Sequence, residues 1–318
     1  MTFNAKVKGT VCGIVAAISY GTNPLGALSL YHDGMNALSV LFYRYGLATL
    51  ILGFMLVAQR RSLALTRREA AIVGLLGILF EMSSFCLYHS FNFMDAGIAS
   101  TILFVYPVMV AVIMAVCFKE RVTPMTVLSI LLALAGIGLL YKGGDGVTLN
   151  AMGVMLVILS SLTYAVYIVV VNKSDIRLSA VKLSFYVMLV GTLAIVVQSA
   201  CSGKGYELQW LTTPEQWMYA LLLALLPTVI SLVLMVIAVH DIGSTPTAIM
   251  GALEPVTAVI IGVCVFGEAF TARLALGIAL ILAAVMLIIV GKSLSPASLI
   301  TVFHRFGRML TKTWRWKS

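Results

Sequence analysis

The chain carries the same hydrophobic pattern twice. The first copy reads DAGIASTILFVYPVMVAVIMAVCFKERVT and the second reads DIGSTPTAIMGALEPVTAVIIGVCVFGEAFT. With a shift of 148 positions Pro107 aligns with Pro255, and 13 of the 38 residues in 106–143 recur. Glu120 aligns with Glu268 at the same shift. Because internal repeats of hydrophobic segments are typical of transporters whose halves rock against each other, transport is the leading hypothesis.

The composition predicts an integral membrane protein. Hydrophobic residues make up 61% of the chain and charged residues only 10%, and the mean hydropathy is +1.06. A soluble domain of this length carries far more surface charge. Apolar runs of about 20 residues predict ten transmembrane helices, at 9–31, 36–58, 70–93, 97–118, 125–142, 151–171, 179–200, 216–239, 246–266 and 272–291. The predicted fold is all-α, with a first repeat at 9–142, a second repeat at 151–291 and a basic tail at 292–318.

The basic residues are distributed unevenly between the loops. The net charge is +9, and with a cytoplasmic N-terminus and alternating helices 17 of the 21 Lys and Arg residues face the cytoplasm. Lys142, Lys204 and Arg273 face the other side, and Arg44 lies within the membrane. The positive-inside rule therefore predicts a multi-pass protein of the cell (inner) membrane with both termini in the cytoplasm. Because the excess charge is an orientation signal, we expect membrane lipid, and no nucleic acid, as a partner.

Each copy contains five predicted helices, an odd number, so the second copy is predicted to enter the membrane in the opposite orientation. The loop KERVTP of the first copy falls on the cytoplasmic side, whereas its equivalent GEAFTAR falls outside and lacks the aligned lysine. Inverted copies require this difference in charge. The sequence predicts an all-α integral membrane protein with ten transmembrane helices arranged as an inverted 5+5 repeat.

The cysteines and the tail offer no site for a metal or a cofactor. Four of the five cysteines fall within apolar helices, and no CxxC or Cys/His spacing is present. We expect no metal and no cofactor. The tail at 292–318 mixes Phe, Met and Leu with Arg and Lys, which is typical of either an amphipathic helix on the cytoplasmic leaflet or a frayed basic tail.

Two runs of the sequence resemble a known family. YPVMVAVIMAVCFKERVTPMTVLSILLALAGIGLL and LEPVTAVIIGVCVFGEAFTARLALGIALILAAVMLI are similar to the paired EamA domains of the drug/metabolite transporter superfamily, with Pro-Val, an apolar run, Gly-Glu, a Thr turn and a Gly-rich helix. The resemblance implies ten helices around a central cavity that is lined mainly by helices 1, 3, 4, 6, 8 and 9. It leaves open amino-acid, metabolite, nucleotide-sugar and drug carriers. Lys119 departs from the pattern, which usually has glycine at this position.

Three ionisable side chains lie near the middle of predicted helices: Arg44, Glu81 and Glu254. Such residues cost roughly 2.5–3.5 kcal/mol on insertion scales and are therefore functional candidates. Glu81 shares a helical face with Ser84, Phe85, Tyr88 and Asn92, with His89 at its margin, which predicts a cavity wall. We predict that Glu81 recognises a substrate ammonium group or exchanges protons. The alternative is a structural glutamate that holds helices together.

Glu254 precedes Pro255 and shares a helical face with Thr247 and Met250. It is a candidate for substrate binding, and the alternative is that it supports the helix break at the proline. Arg44 is suited either to neutralise an anionic group of the substrate or to pair with one of the two glutamates. Because the second helix lies outside the cavity in the resembled fold, we favour the structural ion pair.

Hydroxyl, amide and aromatic side chains recur at helical spacing on several predicted helices. Such a set suits a small amphipathic solute, whose apolar part the rings would cover. The alternative is ordinary packing between helices. The predicted substrate-binding residues are Tyr20, Asn23, Glu81, Ser84, Phe85, Tyr88, His89, Thr101, Phe104, Ser160, Tyr164, Tyr167, Thr228, Ser231, Met250 and Glu254.

Prolines and glutamates near helix breaks and helix ends are predicted to act in gating. Pro24, Pro107, Pro227 and Pro255 fall inside predicted helices of both halves and provide bending points. Glu120 and Glu268 sit at helix ends, where we expect them to act as caps or gates rather than to touch substrate.

The function predicted from these features is that of a secondary transporter or facilitator for small metabolites. Amino acids, aromatic ones included, are the favoured substrates, export by alternating access is the favoured direction, and we expect a monomer. The first alternative is a proton-coupled exporter of lipophilic cations. An intramembrane enzyme is disfavoured because HExxH, GxSxG and nucleotide-loop motifs are missing, so we do not expect an enzyme. A passive scaffold is disfavoured by the duplication.

Overall fold

The computed structural model describes residues 3–120, 122–141, 149–174, 176, 178–202 and 206–293. The regular elements in these ranges are helices, which confirms the predicted all-α class. The first repeat contains α1 (Phe3–Gly21), α2 (Asn23–His32), α3 (Ala37–Ala58), α4 (Arg67–Ser90), α5 (Ala96–Leu103), α6 (Tyr106–Phe118) and α7 (Pro124–Tyr141). The second contains α8 (Ala151–Lys173), α9 (Ala180–Cys201), α10 (Pro214–Ala224), a π-helical turn (Leu225–Ile230), α11 (Ser231–Ile242), α12 (Ser244–Met250), α13 (Leu253–Phe266) and α14 (Ala272–Ser293). The predicted tail lies outside the described residues from position 294 onward.

The helices combine into ten apolar segments. Within the described ranges nine segments are long and apolar enough to cross a bilayer, and α7 adds a shorter apolar helix, Pro124–Leu140. Four spans consist of two helices in line: α1 with α2, α5 with α6, α10 with α11, and α12 with α13. The ten predicted transmembrane helices are therefore confirmed.

The helix boundaries repeat at the interval of the sequence repeat. α5 and α12 begin 148 positions apart, α7 and α14 begin 148 positions apart, and α6 and α13 end 148 positions apart. Lys119 follows α6 with a φ of 54°, and Gly267 follows α13 with a φ of 69°. Glycine adopts this left-handed conformation at little cost, whereas another residue loses roughly 1–2 kcal/mol. Lys119 therefore keeps the same helix end as its glycine counterpart, with local strain.

The loops form two separate groups. In one group the Lys182 ammonium donates a hydrogen bond to the Ala64 carbonyl at 2.8 Å, which joins the start of α9 to the loop before α4. In the other group the Asn36 N–H donates to Gln209 Oε1 at 2.7 Å, which joins the start of α3 to the loop before α10. Spans that alternate in direction bring these loops together. The first group carries the basic residues that the sequence predicts to be cytoplasmic.

Four spans are interrupted at proline. The prolines are those predicted to break helices: Pro24, Pro107, Pro227 and Pro255. Proline has no backbone N–H, so the carbonyl four residues earlier loses its helical hydrogen bond. Inside a bilayer, where water is absent, that carbonyl needs another donor from the protein.

Side chains beside Pro24 and Pro227 supply such donors from within the same span. Asn23 Nδ2 donates to the Tyr20 carbonyl at 2.9 Å. Thr228 Oγ1 donates to the Leu223 carbonyl at 3.0 Å, across the π-helical turn. The polar residues next to these prolines are therefore explained by the broken backbone itself.

The other two breaks are satisfied differently. Ser161 Oγ, on α8 of the second repeat, donates to the Leu103 carbonyl that Pro107 releases, at 3.1 Å. At Pro255 the backbone compensates, because the Glu254 N–H donates to the Gly251 carbonyl at 3.0 Å. One of the four breaks is thus held by the opposite repeat.

Helices of one repeat pack mainly on helices of the other. α7 packs along α14, α3 along α9, α4 along α8, and α1 along α11. Small residues permit this approach: a Cβ on Gly77 would lie 2.5 Å from the Val190 side chain, and one on Gly136 would lie 3.0 Å from the Gly277 carbonyl. Close packing through small residues is the usual source of helix association in membranes.

The donor role of Ser161 is testable. Ser161→Ala leaves the Leu103 carbonyl without a partner in a partly buried position, and we expect a loss of roughly 1–3 kcal/mol in the free energy of unfolding. Ser129→Ala is the matched control, because Ser129 is equally buried but donates to Met125, a carbonyl already bonded within α7. Thermal unfolding in detergent should show a lower midpoint for the first variant only. Equal midpoints would contradict the assignment.

Candidate substrate cavity

A cavity of about 200 Å³ lies between the two repeats. Its wall is formed by α1 to α6 of the first repeat and by α8, α9, the π-helical turn, α11 and α13 of the second. The helix breaks lie at this wall, since Pro24, Pro227, Pro255 and Tyr106, the residue before Pro107, all line it. Irregular backbone at membrane depth is tolerated where it borders a cavity. Besides the six helices that the family resemblance implied, the second and seventh spans, α3 and α9, contribute to the wall.

Aromatic rings cover part of the cavity wall. Tyr164 stacks on Tyr167, with ring centroids 5.7 Å apart and planes at 6°, and meets Tyr106 edge to face at 4.7 Å. Phe80 contacts Tyr164 and Tyr167, with centroid distances of 6.1 Å and 5.5 Å. These residues present an apolar surface with polar hydroxyl tips. Such a surface suits the apolar part of a small solute.

Arg44, on α3, supplies the positive charge of the wall and is only 2% exposed. Its Nη1–H donates to the Tyr88 hydroxyl at 2.9 Å, and its Nε–H donates to Thr228 Oγ1 at 3.1 Å. These bonds use two of the five N–H donors of a guanidinium group. The other three donors are not used by these two bonds.

The ion pair that the sequence favoured for Arg44 is wrong. Among the described residues, the two ion pairs are those of Asp241 with Lys8 and with His240. Arg44 is bonded to hydroxyl groups instead of a carboxylate. The error has a physical cause: α3 reaches the cavity, whereas the resembled fold placed the second helix outside it.

Glu254 contributes a carboxyl group to the wall, in the first turn of α13. Its carboxylate makes no hydrogen bond and no ion pair with the part of the chain that the structure describes. A charge buried without a partner is strongly unfavourable. A cation and a carboxyl group that are not paired with each other thus face one small cavity.

Arg44 is connected to two of the helix breaks. Thr228, which accepts a hydrogen bond from Arg44, also satisfies the carbonyl that Pro227 releases. Tyr88, the other partner of Arg44, donates to Asn23 Oδ1 at 3.0 Å, and the Asn23 amide satisfies the carbonyl released at the α1–α2 break. A charged ligand group at Arg44 would therefore perturb the hydrogen bonds of Thr228 and Asn23, which satisfy the carbonyls at the two breaks.

Half of the predicted substrate-binding residues line this cavity, and their role in binding stays a prediction. They are Tyr20, Asn23, Phe104, Tyr164, Tyr167, Thr228, Ser231 and Glu254. Arg44, Phe80 and Tyr106 also line it but were not among the predicted residues. Arg44 was detectable as the single cation at mid-membrane, whereas an aromatic residue such as Phe80 carries no such signal.

The other predicted residues lie outside the cavity wall: Glu81, Ser84, Phe85, Tyr88, His89, Thr101, Ser160 and Met250. Ser160 Oγ donates to the Ser83 carbonyl at 2.6 Å, between α8 and α4. Thr101 Oγ1 donates to the Gly97 carbonyl at 2.8 Å within α5. The ring of His89 stacks on Phe85 with centroids 5.5 Å apart. The Ser160 contact is of the kind expected from packing between helices, whereas the Thr101 and His89 contacts lie within a single helix.

The predicted polar face of α4 does not form the wall. α4 contributes Phe80 and Leu87 to the cavity, while Glu81 faces α9, where a Cβ on Gly191 would lie 3.7 Å from its Cβ. Glu81 is 7% exposed, and its Oε1 has no hydrogen-bond partner among the described residues. The rotation of α4 is set by its packing on α8 and α9, which a helical wheel does not contain.

The two ends of the cavity are packed differently. α5 packs along α13 at one end, whereas α6 and α12, the equivalent pair at the other end, make almost no contact. The wall extends to Ser184, close to the start of α9 and to the predicted cytoplasmic loops. In this conformation the cavity is closed at the α5–α13 end and loosely packed at the α6–α12 end.

Comparison with known proteins assigns the family. The sequence matches the family described as EamA-like transporter family twice, at residues 7–142 and 151–290. The chain belongs to the EamA-like transporter family. Both matches coincide with the structural repeats, so the pair of repeats that share this cavity is a pair of EamA domains. The protein is therefore a membrane transporter.

Relatives of this EamA protein carry the general name of transporter. A protein of Archaeoglobus fulgidus named an uncharacterized transporter is 26% identical over 275 residues, which are 86% of this chain and 94% of the relative. An uncharacterized transporter of Synechocystis, sll1319, is 29% identical over 64% of this chain and 62% of its own length. A solved crystal structure superposes with a TM-score of 0.64 and 16% identity, covering 89% of this chain and 96% of the other. This last likeness concerns the fold alone.

The Arg44 network is testable through Tyr88. Tyr88→Phe removes the hydroxyl that accepts a hydrogen bond from Arg44 and donates one to Asn23. Because a charged group loses its partner, we expect the free energy of unfolding to fall by roughly 1.5–3 kcal/mol. Tyr45→Phe is the matched control, since the Tyr45 hydroxyl is buried on the same helix as Arg44 and has no hydrogen-bond partner among the described residues. Thermal unfolding in detergent compares the two variants. A control that is destabilised as strongly as Tyr88→Phe would refute the network.

Proposed function

We propose that this EamA protein is a secondary transporter of small zwitterionic metabolites, with amino acids as the first candidates. The observation that supports this is that Arg44 and Glu254 face one cavity without an ion-pair partner among the described residues. An α-amino acid carries a carboxylate and an ammonium group on the same carbon atom. Its carboxylate would accept hydrogen bonds from Arg44, and its ammonium group would donate to Glu254.

The charges of the wall disfavour other classes of solute. Phosphorylated metabolites usually need several Lys or Arg side chains, and the wall has one arginine. A lipophilic cation would be attracted by Glu254 but repelled by Arg44. A zwitterion neutralises both groups at once, so neither remains buried and uncompensated. This favours amino acids over the multidrug alternative.

The size and the rings of the cavity favour a small solute with an apolar part. Its volume of about 200 Å³ is below the roughly 300–1,000 Å³ typical of sites for drug-sized ligands. The rings of Phe80, Tyr106, Tyr164 and Tyr167 supply an apolar surface in the same wall as Arg44 and Glu254. We therefore propose apolar and aromatic amino acids as preferred substrates.

Alternating access would use the repeated architecture. We propose that the five spans of the second repeat are inverted relative to the first, and that the breaks at Pro24, Pro107, Pro227 and Pro255 act as hinges. The positive-inside rule predicts a protein of the cell membrane with both termini in the cytoplasm, and on that topology the loosely packed α6–α12 end is the cytoplasmic side. A cavity loaded from that side supports export. Because one chain supplies both repeats, a monomer suffices.

Counterflow in proteoliposomes tests the substrate class. Vesicles preloaded with unlabelled amino acids and free of a pH gradient should accumulate a labelled apolar or aromatic amino acid. The free amino acid should compete at least about tenfold better than its amide or its N-acetyl derivative, because each derivative loses one charge-assisted interaction. Competition by lipophilic cations, with no effect of amino acids, would replace this proposal with the multidrug alternative.

Substitution of the two membrane glutamates, Glu254 and Glu81, tests whether the substrate binds in this cavity. Glu254→Gln removes the partner of the ammonium group, and we expect the apparent affinity for amino acids to fall roughly 10- to 100-fold. Glu81→Gln is the matched control, because Glu81 is also a carboxyl group within a membrane-spanning segment but lies outside the wall. The dependence of counterflow on amino-acid concentration gives the apparent affinity of both variants. An unchanged affinity in Glu254→Gln, or an equal loss in Glu81→Gln, would contradict the assigned site.

A further inference from the structure

A single carboxylate joins the two repeats at the closed end of the cavity. Glu268 lies in the turn between α13 and α14, and its Oε1 accepts a hydrogen bond from the Ala96 N–H at 2.7 Å. Its Oε2 accepts one from the Gly97 N–H at 3.1 Å. Ala96 and Gly97 are the first two residues of α5, whose N–H groups have no partner within the helix. The negative charge also meets the positive end of the helix dipole.

The contact depends on two glycines. A Cβ on Gly262 would overlap Glu268 Oε2, and a Cβ on Gly97 would lie 2.9 Å from the same atom. A Cβ on Gly97 would also lie 3.0 Å from Val259 Cα on α13. Only glycine leaves room at these positions for both the carboxylate and the close approach of α5 to α13. The carboxylate thus sits in a site shaped to receive it.

The equivalent glutamate of the first repeat makes no such contact. Glu120 and Glu268 end their helices in the same way, since their N–H groups donate to the Met114 and Gly262 carbonyls at 3.2 Å and 3.0 Å. The Glu120 side chain, however, is exposed and forms no hydrogen bond or ion pair with the described residues. After equivalent helix ends, the glutamate side chain at the closed end is therefore hydrogen-bonded to the other repeat, whereas the one at the loosely packed end is not.

We propose that Glu268 is the latch of the gate between α5 and α13. Its two hydrogen bonds form when the cavity is closed on that side, and they break when the cavity opens there, because α5 cannot leave α13 while both bonds persist. The inference rests on the proposed alternating access and names a residue that holds one of its end states. On the predicted topology this gate is the extracytoplasmic one. Glu268 is a positioning residue that touches no solute.

The protonation state of Glu268 has to be the same for all variants in a test of the latch. The pKa of the Glu268 carboxyl is raised. Burial and the neighbouring Asp95 raise it, and they outweigh the N–H groups of Gly97 and Ala96, which lower it. Burial also raises the pKa of Asp95. Because a proton on Glu268 would occupy an acceptor oxygen, all variants are compared at one pH on both faces of the membrane.

Cysteine labelling tests the latch without a transported solute. Ser100 lines the cavity behind the contact, so Ser100→Cys is introduced into a protein whose five native cysteines are replaced. A membrane-impermeant maleimide is added to the face that carries Glu268. We expect Glu268→Ala to raise the labelling rate at least about tenfold, since a hydrogen bond to a charged group is worth a factor of ten or more in an equilibrium. Glu120→Ala is the matched control, and we expect no change.

A second variant separates the latch from a loss of structure. Gly262→Ala keeps the charge but displaces the carboxylate, and we expect the same increase in labelling. An unchanged rate in Glu268→Ala, or an equal increase in Glu120→Ala, would overturn the proposal. If Glu268→Ala does not fold, Gly262→Ala decides alone. A negative result here would leave the amino-acid assignment intact, because that assignment is tested by counterflow.

Discussion

A chain that crosses lipid must satisfy its backbone N–H and C=O groups within the protein, and the architecture of this transporter depends on how it does so at four prolines. The carbonyls that they release are bonded by Asn23, Ser161 and Thr228 side chains and by the Glu254 backbone N–H. Polar donors were required at these points. Because they lie at the cavity wall, the same requirement brings hydroxyl and amide groups next to the space that a solute would occupy.

This arrangement makes the candidate binding site and the helix breaks share residues. The guanidinium of Arg44 is bonded to Thr228 and, through Tyr88, is linked to Asn23. A ligand carboxylate at Arg44 would compete with or polarise those bonds, and so would change the restraint on two breaks at once. A ligand shifts a conformational equilibrium only through such differential contacts.

The last two spans of each repeat have matching helix boundaries and yet make different contacts. α5 is held against α13 through Glu268, while α6 and α12 are almost separate and Glu120 is exposed. On the proposed alternating access, equivalent sequences would support two arrangements because each helix pair would move as a rigid body about its breaks. The asymmetry of this helix pair is therefore a property of the conformation, because α5, α6 and α7 begin or end 148 positions before α12, α13 and α14.

The sequence by itself determined the class, the ten spans, the repeat and its 148-residue interval, because hydrophobic length and proline position are local properties of the chain. It also identified Glu254, Tyr20 and Tyr164, which lie beside helix breaks or on faces that turn inward. Only the tertiary structure decided that Arg44 faces the cavity, that Glu81 faces α9, and that Glu268 reaches α5. Each of these depends on the rotation of one helix against its neighbours. That rotation is set by packing between residues far apart in the chain, which no local pattern records.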